Sequence, residues 1–197
     1  MMLNRLLLMV LMVVAPVGVH AATVLGVGEP ELAGRADVVA FGAVISAEVL
    51  VEPEWGVYTR ARVEVYDGFK GAARGDVLTV LVPGGRLSNG LHSVVAGAPV
   101  MKAGERFVAF LEKRAGTYAP WGLSYGWLMV RRDAHGVFRV SRSVAGLSVV
   151  GPAGKEVEPG MVVLQDIELG QFKRRILAHL VTGVDAPAQT PDKGGVR

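Results

Sequence analysis

The pentapeptide Gly122-Leu123-Ser124-Tyr125-Gly126 fits the pattern G-x-S-x-G letter by letter. In α/β hydrolases that pattern sets a nucleophilic serine on a sharp turn between a strand and a helix. Here the residues after Ser124 read "YGWLMVRR", which leads into another β-like segment. The chain, at 197 residues, is also short for that fold. The remaining chemistry is sparse. Beyond the N-terminal segment the histidines are His92, His135 and His179, and no two stand at a metal-ligand spacing such as HxxxH. There is no cysteine, which removes disulfides, thiolate metal sites and a cysteine nucleophile. The acid pairs Glu52/Glu54 and Asp166/Glu168 sit in ordinary surface contexts, whereas glycosidic chemistry needs two carboxylates across a cleft. The expectation is no catalytic residue, no cofactor and no metal ligand. The alternative is a small secreted hydrolase using Ser124 or a metal site assembled only in three dimensions.

The stretch "VPGGRLSNG", Val82 to Gly90, tests as a phosphate cradle and fails. A phosphate loop ends in Gly-Lys-Ser/Thr and leads into a helix whose N-terminus faces the anion. This one lacks that ending and leads into "LHSVVAG", which reads as strand. Pro83, Gly84 and Gly85 then end one strand, and Ser88, Asn89 and Gly90 turn into the next. Arg86 is left as the side chain there that can touch a partner.

Large aromatics in loops anchor protein partners. Trp55 lies in such a loop, "EPEWG". Trp121, Tyr125 and Trp127 cluster further on. Trp121 and Trp127 share a side of a strand-like segment, which favours core packing for them and leaves Trp55 as the better surface residue. The protein-contact set is therefore Trp55, Arg86, Trp121, Tyr125 and Trp127.

Serial strands must position these residues. "VVAFGAVISAEVLV", Val38–Val51, is a long apolar strand whose far half carries Ser46 and Glu48 and is half exposed. "VYTRARVEVY" alternates strictly: Val57, Thr59, Ala61, Val63 and Val65 face one way, and Tyr58, Arg60, Arg62, Glu64 and Tyr66 the other. "DGFKG" turns the chain, and "DVLTVLV" is the third strand. Further strands are expected from His92, over Arg106–Glu112, over Tyr118–Val130 and from Val137. Short strands with turn signals between them argue for a sandwich or barrel. One helix follows near 167–182, where Leu169, Phe172, Ile176 and Leu180 form an apolar stripe. Its basic run Lys173-Arg174-Arg175 reads as a solvated face. A disordered tail, 184–197, closes the chain.

The first residues read as a secretory signal peptide: Arg5, an apolar run Leu6–Val17, and Val19-His20-Ala21 as a small-x-small cleavage pattern. Residues 1–21 would be removed, leaving one β-rich domain over 22–183 in the periplasm or outside the cell. No later stretch is apolar for long enough to span a bilayer. The formal net charge of +3, with scattered lysines and arginines, gives no argument for a nucleic-acid partner.

"ADVVAFGAVISAEV", Ala36–Val49, followed by "YTRARVEVYDGFKG", Tyr58–Gly71, resembles the opening of netrin-like and TIMP-like domains. "VPGG", "GAP" and "GERFVAFLE" together are similar to a recurring group of small secreted bacterial proteins. The resemblance spans roughly Ala36–Val140. It implies a mainly β fold, an OB-like antiparallel β-barrel with a C-terminal α-helix. TIMP-type inhibitors chelate a protease zinc through an N-terminal cysteine. This sequence has none, so that mechanism does not carry over. The resulting expectation is a non-enzymatic binding or inhibitor-like module whose partner is an extracellular or envelope protein, proteases included.

Overall fold

The computed structural model describes residues 22–53, 56–151, 157 and 164–182. The expected signal peptide, Trp55 and the tail 184–197 lie outside the described residues. The protein is mainly β with a C-terminal helix.

The centre is a long hairpin of β2 (Val38–Glu52) and β3 (Gly56–Lys70). In β3, Thr59, Ala61, Val63 and Val65 are buried while Arg60, Arg62 and Tyr66 are exposed, as the alternation requires. β4 (Val77–Pro83) pairs antiparallel with β3, and β7 (Arg106–Arg114) pairs antiparallel with β2. The second edge of β7 is shared. Its Leu111–Arg114 half pairs with β8 (Thr117–Pro120), and its Arg106–Ala109 half pairs with β9 (Trp127–Arg132). β8 also meets β4 in a parallel contact, Val80 against Tyr118. The pairings therefore close on themselves in the order β7, β2, β3, β4, β8 and back to β7. From β9 the sheet continues outward through β10 (Phe138–Ser141) to β12 (Ile167–Glu168).

Two smaller ladders flank it. β5 (Gly85–Arg86) pairs with β6 (His92–Ser93), and β1 (Ala22–Leu25) runs parallel to β11 (Leu147–Val150). The two parallel pairings depart from an all-antiparallel arrangement.

The two faces of the closed strands carry two cores. Val38, Ala40, Val63, Val80, Phe107, Leu111 and Trp127 pack inside. Val39, Phe41, Val108, Phe110 and Leu128 pack outside, under helices α1 (Glu29–Arg35) and α2 (Leu169–Thr182). The α2 stripe lands as its spacing predicts: Phe172 and Ile176 are fully buried, and Leu169 and Leu180 pack partly against the same cluster. Its basic run is largely tied down, since Lys173 pairs with Asp67 at 2.7 Å and Arg175 with Glu29 at 2.6 Å. Arg174 is exposed.

Several sequence expectations shift. "DGFKG" does not turn the chain. β3 runs on to Lys70 through irregular register, and Gly68 fits because a Cβ there would strike the carbonyl of Ala72. The strand expected from His92 ends after Ser93. The segment Tyr118–Val130 is two strands broken by a 3₁₀ turn, Leu123–Gly126. α1, of seven residues, was not expected, because a helix that short shows no periodicity. No helix among the described residues is long and apolar enough to cross a membrane.

Candidate functional site

A groove of about 420 Å³ lies at one end of the closed strands. Its floor is set by residues of the inner face: Val49 from β2, Thr59 from β3, and Met101, which also belongs to the inner core. One wall is the hairpin of β5 and β6. The other is the segment Val94–Lys102.

Local chemistry explains the hairpin. Thr59 Oγ1 donates to the carbonyl of Gly84 at 2.8 Å, a buried bond that ties the hairpin's root to β3. Gly85 must be glycine: its φ is +152°, and a Cβ would lie 2.7 Å from both Thr59 Oγ1 and Val49 Cγ2. At the tip, Gly90 N donates to Leu87 O at 3.0 Å and Leu91 N to Asn89 Oδ1 at 3.1 Å. The glycines of "VPGGRLSNG" thus serve backbone geometry, in agreement with the sequence reading.

The chemistry of the lining is one-sided. Arg86 and His92 stand opposite each other across the β5–β6 ladder, and both are exposed. Lys102 is exposed on the other wall. Among the described residues no aspartate or glutamate lines the groove. Neither Arg86 nor Lys102 enters an ion pair among the described residues. Between these cations the walls are apolar, and Val94 and Val100 are 84% and 71% exposed. These exposed branched aliphatics give the groove an apolar rim.

Of the expected contact residues that the structure describes, Arg86 alone lines this groove. Trp127 is 4% exposed and stacks on Phe107 with centroids 4.1 Å apart. Tyr125 is 1% exposed, and its hydroxyl donates to the carbonyl of Val27 at 2.6 Å. Burial pushes its phenol above the ordinary value, against the opposing pull of Arg142. The Arg142 guanidinium lies 4.5 Å over the Tyr125 ring, itself lowered by burial. Trp121 is half-buried, 6.1 Å from the Tyr125 ring. Trp121 and Trp127 do not share a side: the 3₁₀ turn between them sends Trp121 to the outer core and Trp127 to the inner one. These three aromatics pack the protein and offer a partner little surface.

Ser124 sits in that 3₁₀ turn, with Oγ buried and without a hydrogen-bond partner among the described residues. Among the described residues no base lies within hydrogen-bonding reach of it. His92, His135 and His179 stay apart, and no group of three or more metal-ligating side chains gathers among the described residues. The sequence reading missed Lys102, Val94 and Val100. The signal was present: Val94, Val95 and Val100 flank Gly97 and Pro99, in a stretch whose glycine and proline interrupt a strand, so those valines have no sheet face to cover. Compared with protein-family models, curated proteins and solved structures, the chain finds no match.

Proposed function

We propose that this chain is a secreted or periplasmic binding or inhibitor-like module of the OB type, akin to netrin-like and TIMP-like domains, acting through protein–protein contacts. The OB reading is supported by five strands whose pairings return to the first, with one parallel contact between β4 and β8. OB folds bind ligands on strand faces and the loops beside them. The observation that carries the functional reading is the groove at one end of these strands, apolar within, cationic on both walls and lined by no carboxylate among the described residues. The partner is an extracellular or envelope protein, and secreted proteases are the first to test.

The test compares the immobilised wild type with a Val94→Asp, Val100→Asp double variant. Both valines are exposed, so the substitutions leave the two cores intact. The expected result is a protein retained from envelope or extracellular extract by the wild type and lost with the variant. Equal retention by both would sink the groove as the contact surface. An inhibition assay on the retained protein, if it is a protease, separates binding from inhibition.

A further inference from the structure

Resting on that assignment of the groove, the geometry points to the class of segment that fills it. We infer that the groove takes an extended acidic peptide segment of the partner protein, with an aliphatic side chain seated between Val94 and Val100 and flanking carboxylates met by Arg86 and Lys102.

Charge complementarity decides the class. An apolar groove without cations would accept any aliphatic side chain. This one carries Arg86 on one wall and Lys102 on the other, with His92 beside Arg86, and no acidic residue among the described ones lines it. A lysine-bearing or arginine-bearing segment meets like charge on both walls, which works against the wrong partner as much as the attraction favours the right one. Arg86 and Lys102 line the groove and are exposed, and their long aliphatic stems let the charged heads stay in solvent above an apolar wall. They are therefore placed for carboxylates that leave the groove on either side of a buried aliphatic side chain.

The apolar centre separates this occupant from a plain polyanion. A nucleic-acid strand or a sulfated glycan satisfies cations but brings no aliphatic group to cover Val94 and Val100. An extended peptide supplies both, because its successive side chains point to opposite sides.

The experiment uses the full mature chain and short labelled peptides in fluorescence anisotropy. One peptide places a Val-Leu pair among glutamates, the second replaces the glutamates by glutamine, and the third by lysine. The glutamate peptide should bind roughly tenfold more tightly than the glutamine peptide, a difference on the scale of one or two rim charge contacts, and the lysine peptide should not bind. Arg86→Glu and Lys102→Glu should each weaken the glutamate peptide several-fold, and Val100→Asp should abolish its binding. Raising salt from about 0.05 to about 0.5 M should weaken it further, because the contacts are exposed.

Equal affinity for glutamate and glutamine peptides, or indifference to both charge reversals, overturns the inference. So does a single-stranded oligonucleotide that binds more tightly than the glutamate peptide. If the Val94→Asp, Val100→Asp variant loses a protein partner that the glutamate peptide does not displace, the acidic-segment inference falls while the binding reading stands. If partner retention ignores the groove altogether, the binding reading falls first.

Discussion

Thr59 donates its hydroxyl proton to the carbonyl of Gly84 at 2.8 Å, across 25 positions of the chain, in a buried bond. That contact joins the inner face of β3 to the hairpin that presents Arg86. Thr59→Val keeps the shape and removes the donor, leaving a buried carbonyl without its partner. The cost should be about 1–3 kcal/mol, read as a lower urea midpoint with unchanged slope. Thr59→Ser, which restores the hydroxyl, should recover most of it. A Thr59→Val protein as stable as the wild type would show that Gly84 is satisfied by solvent.

Gly85 and Gly90 make a matched comparison within the same hairpin. Both have positive φ, +152° and +85°. At Gly90 nothing lies near a new Cβ, whereas at Gly85 it meets Thr59 and Val49 at 2.7 Å. Gly90→Ala should cost only backbone strain, about 1–2 kcal/mol. Gly85→Ala adds overpacking of about 1–3 kcal/mol and should also move Arg86, so that peptide binding falls together with stability. Thermal denaturation of the two variants side by side checks the order, and equal losses would argue against the close approach at Gly85.

What the sequence made legible follows from period. β3 announces itself because Thr59, Ala61, Val63 and Val65 face one packed core while Arg60, Arg62 and Tyr66 face outward. α2 does so because Phe172 and Ile176 lie one turn apart on a buried stripe. β2 is harder: Val38–Val44 are all buried, since one face packs inside the closed strands and the other under the helices, so no alternation survives. The groove was illegible for a different reason. Arg86 and Lys102 come from segments without a shared period, so nothing in the sequence sets the β5–β6 hairpin and Val94–Lys102 across one groove. Trp121 and Trp127 misled because a period of two was carried through Leu123–Gly126, where the chain makes a 3₁₀ turn.

Helix α2 should divide sharply by face. Phe172 is fully buried and sits edge-on to Phe110 at 6.4 Å, so Phe172→Ala should cost about 3–5 kcal/mol. Lys173 and Asp67 form an ion pair that is partly open to solvent, with side chains 34% and 43% exposed. Lys173→Ala should therefore cost no more than about 1 kcal/mol. Arg174→Ala, at an exposed position, should fall within about 0.5 kcal/mol of the wild type. Denaturant unfolding of the three variants gives the ranking, and a large loss at Arg174 would mean that its face is covered.

Asp133 supplies a pH dependence with a definite sign. Its carboxylate accepts from Arg139 Nε and from the backbone of Val137 and His135, each at 2.9 Å. The bond from Arg139 leads these in holding the carboxyl below its ordinary value. A lowered folded-state value means that the contribution is complete above the unfolded carboxyl's value, about 3.9, and is lost as pH falls through the lower folded value. The carboxyl carbon of Asp133 should titrate below the ordinary midpoint, and Asp133→Asn should remove the acid-dependent loosening of the turn between β9 and β10. A midpoint at or above the ordinary value would contradict the hydrogen-bonded geometry.

Ser124 decides between a chemical and a structural reading of Gly122–Gly126. A nucleophilic serine needs a base in hydrogen-bonding reach, and Ser124 Oγ is buried with no partner among the described residues. An unsatisfied buried hydroxyl is itself a cost, so its removal should not destabilise. Ser124→Ala should be neutral or more stable by about 0–1 kcal/mol, and any ester hydrolysis by the purified protein should be unchanged. A serine-reactive probe should leave Ser124 unlabelled. Labelling at Ser124, or loss of hydrolysis in Ser124→Ala, would move the protein to the hydrolase class and make the cavity that Ser124 lines with Val100, Trp127 and Met129 the substrate site. Loss of more than about 1 kcal/mol without either would instead place a hydrogen-bond partner on Ser124 Oγ and make the turn around it a structural post.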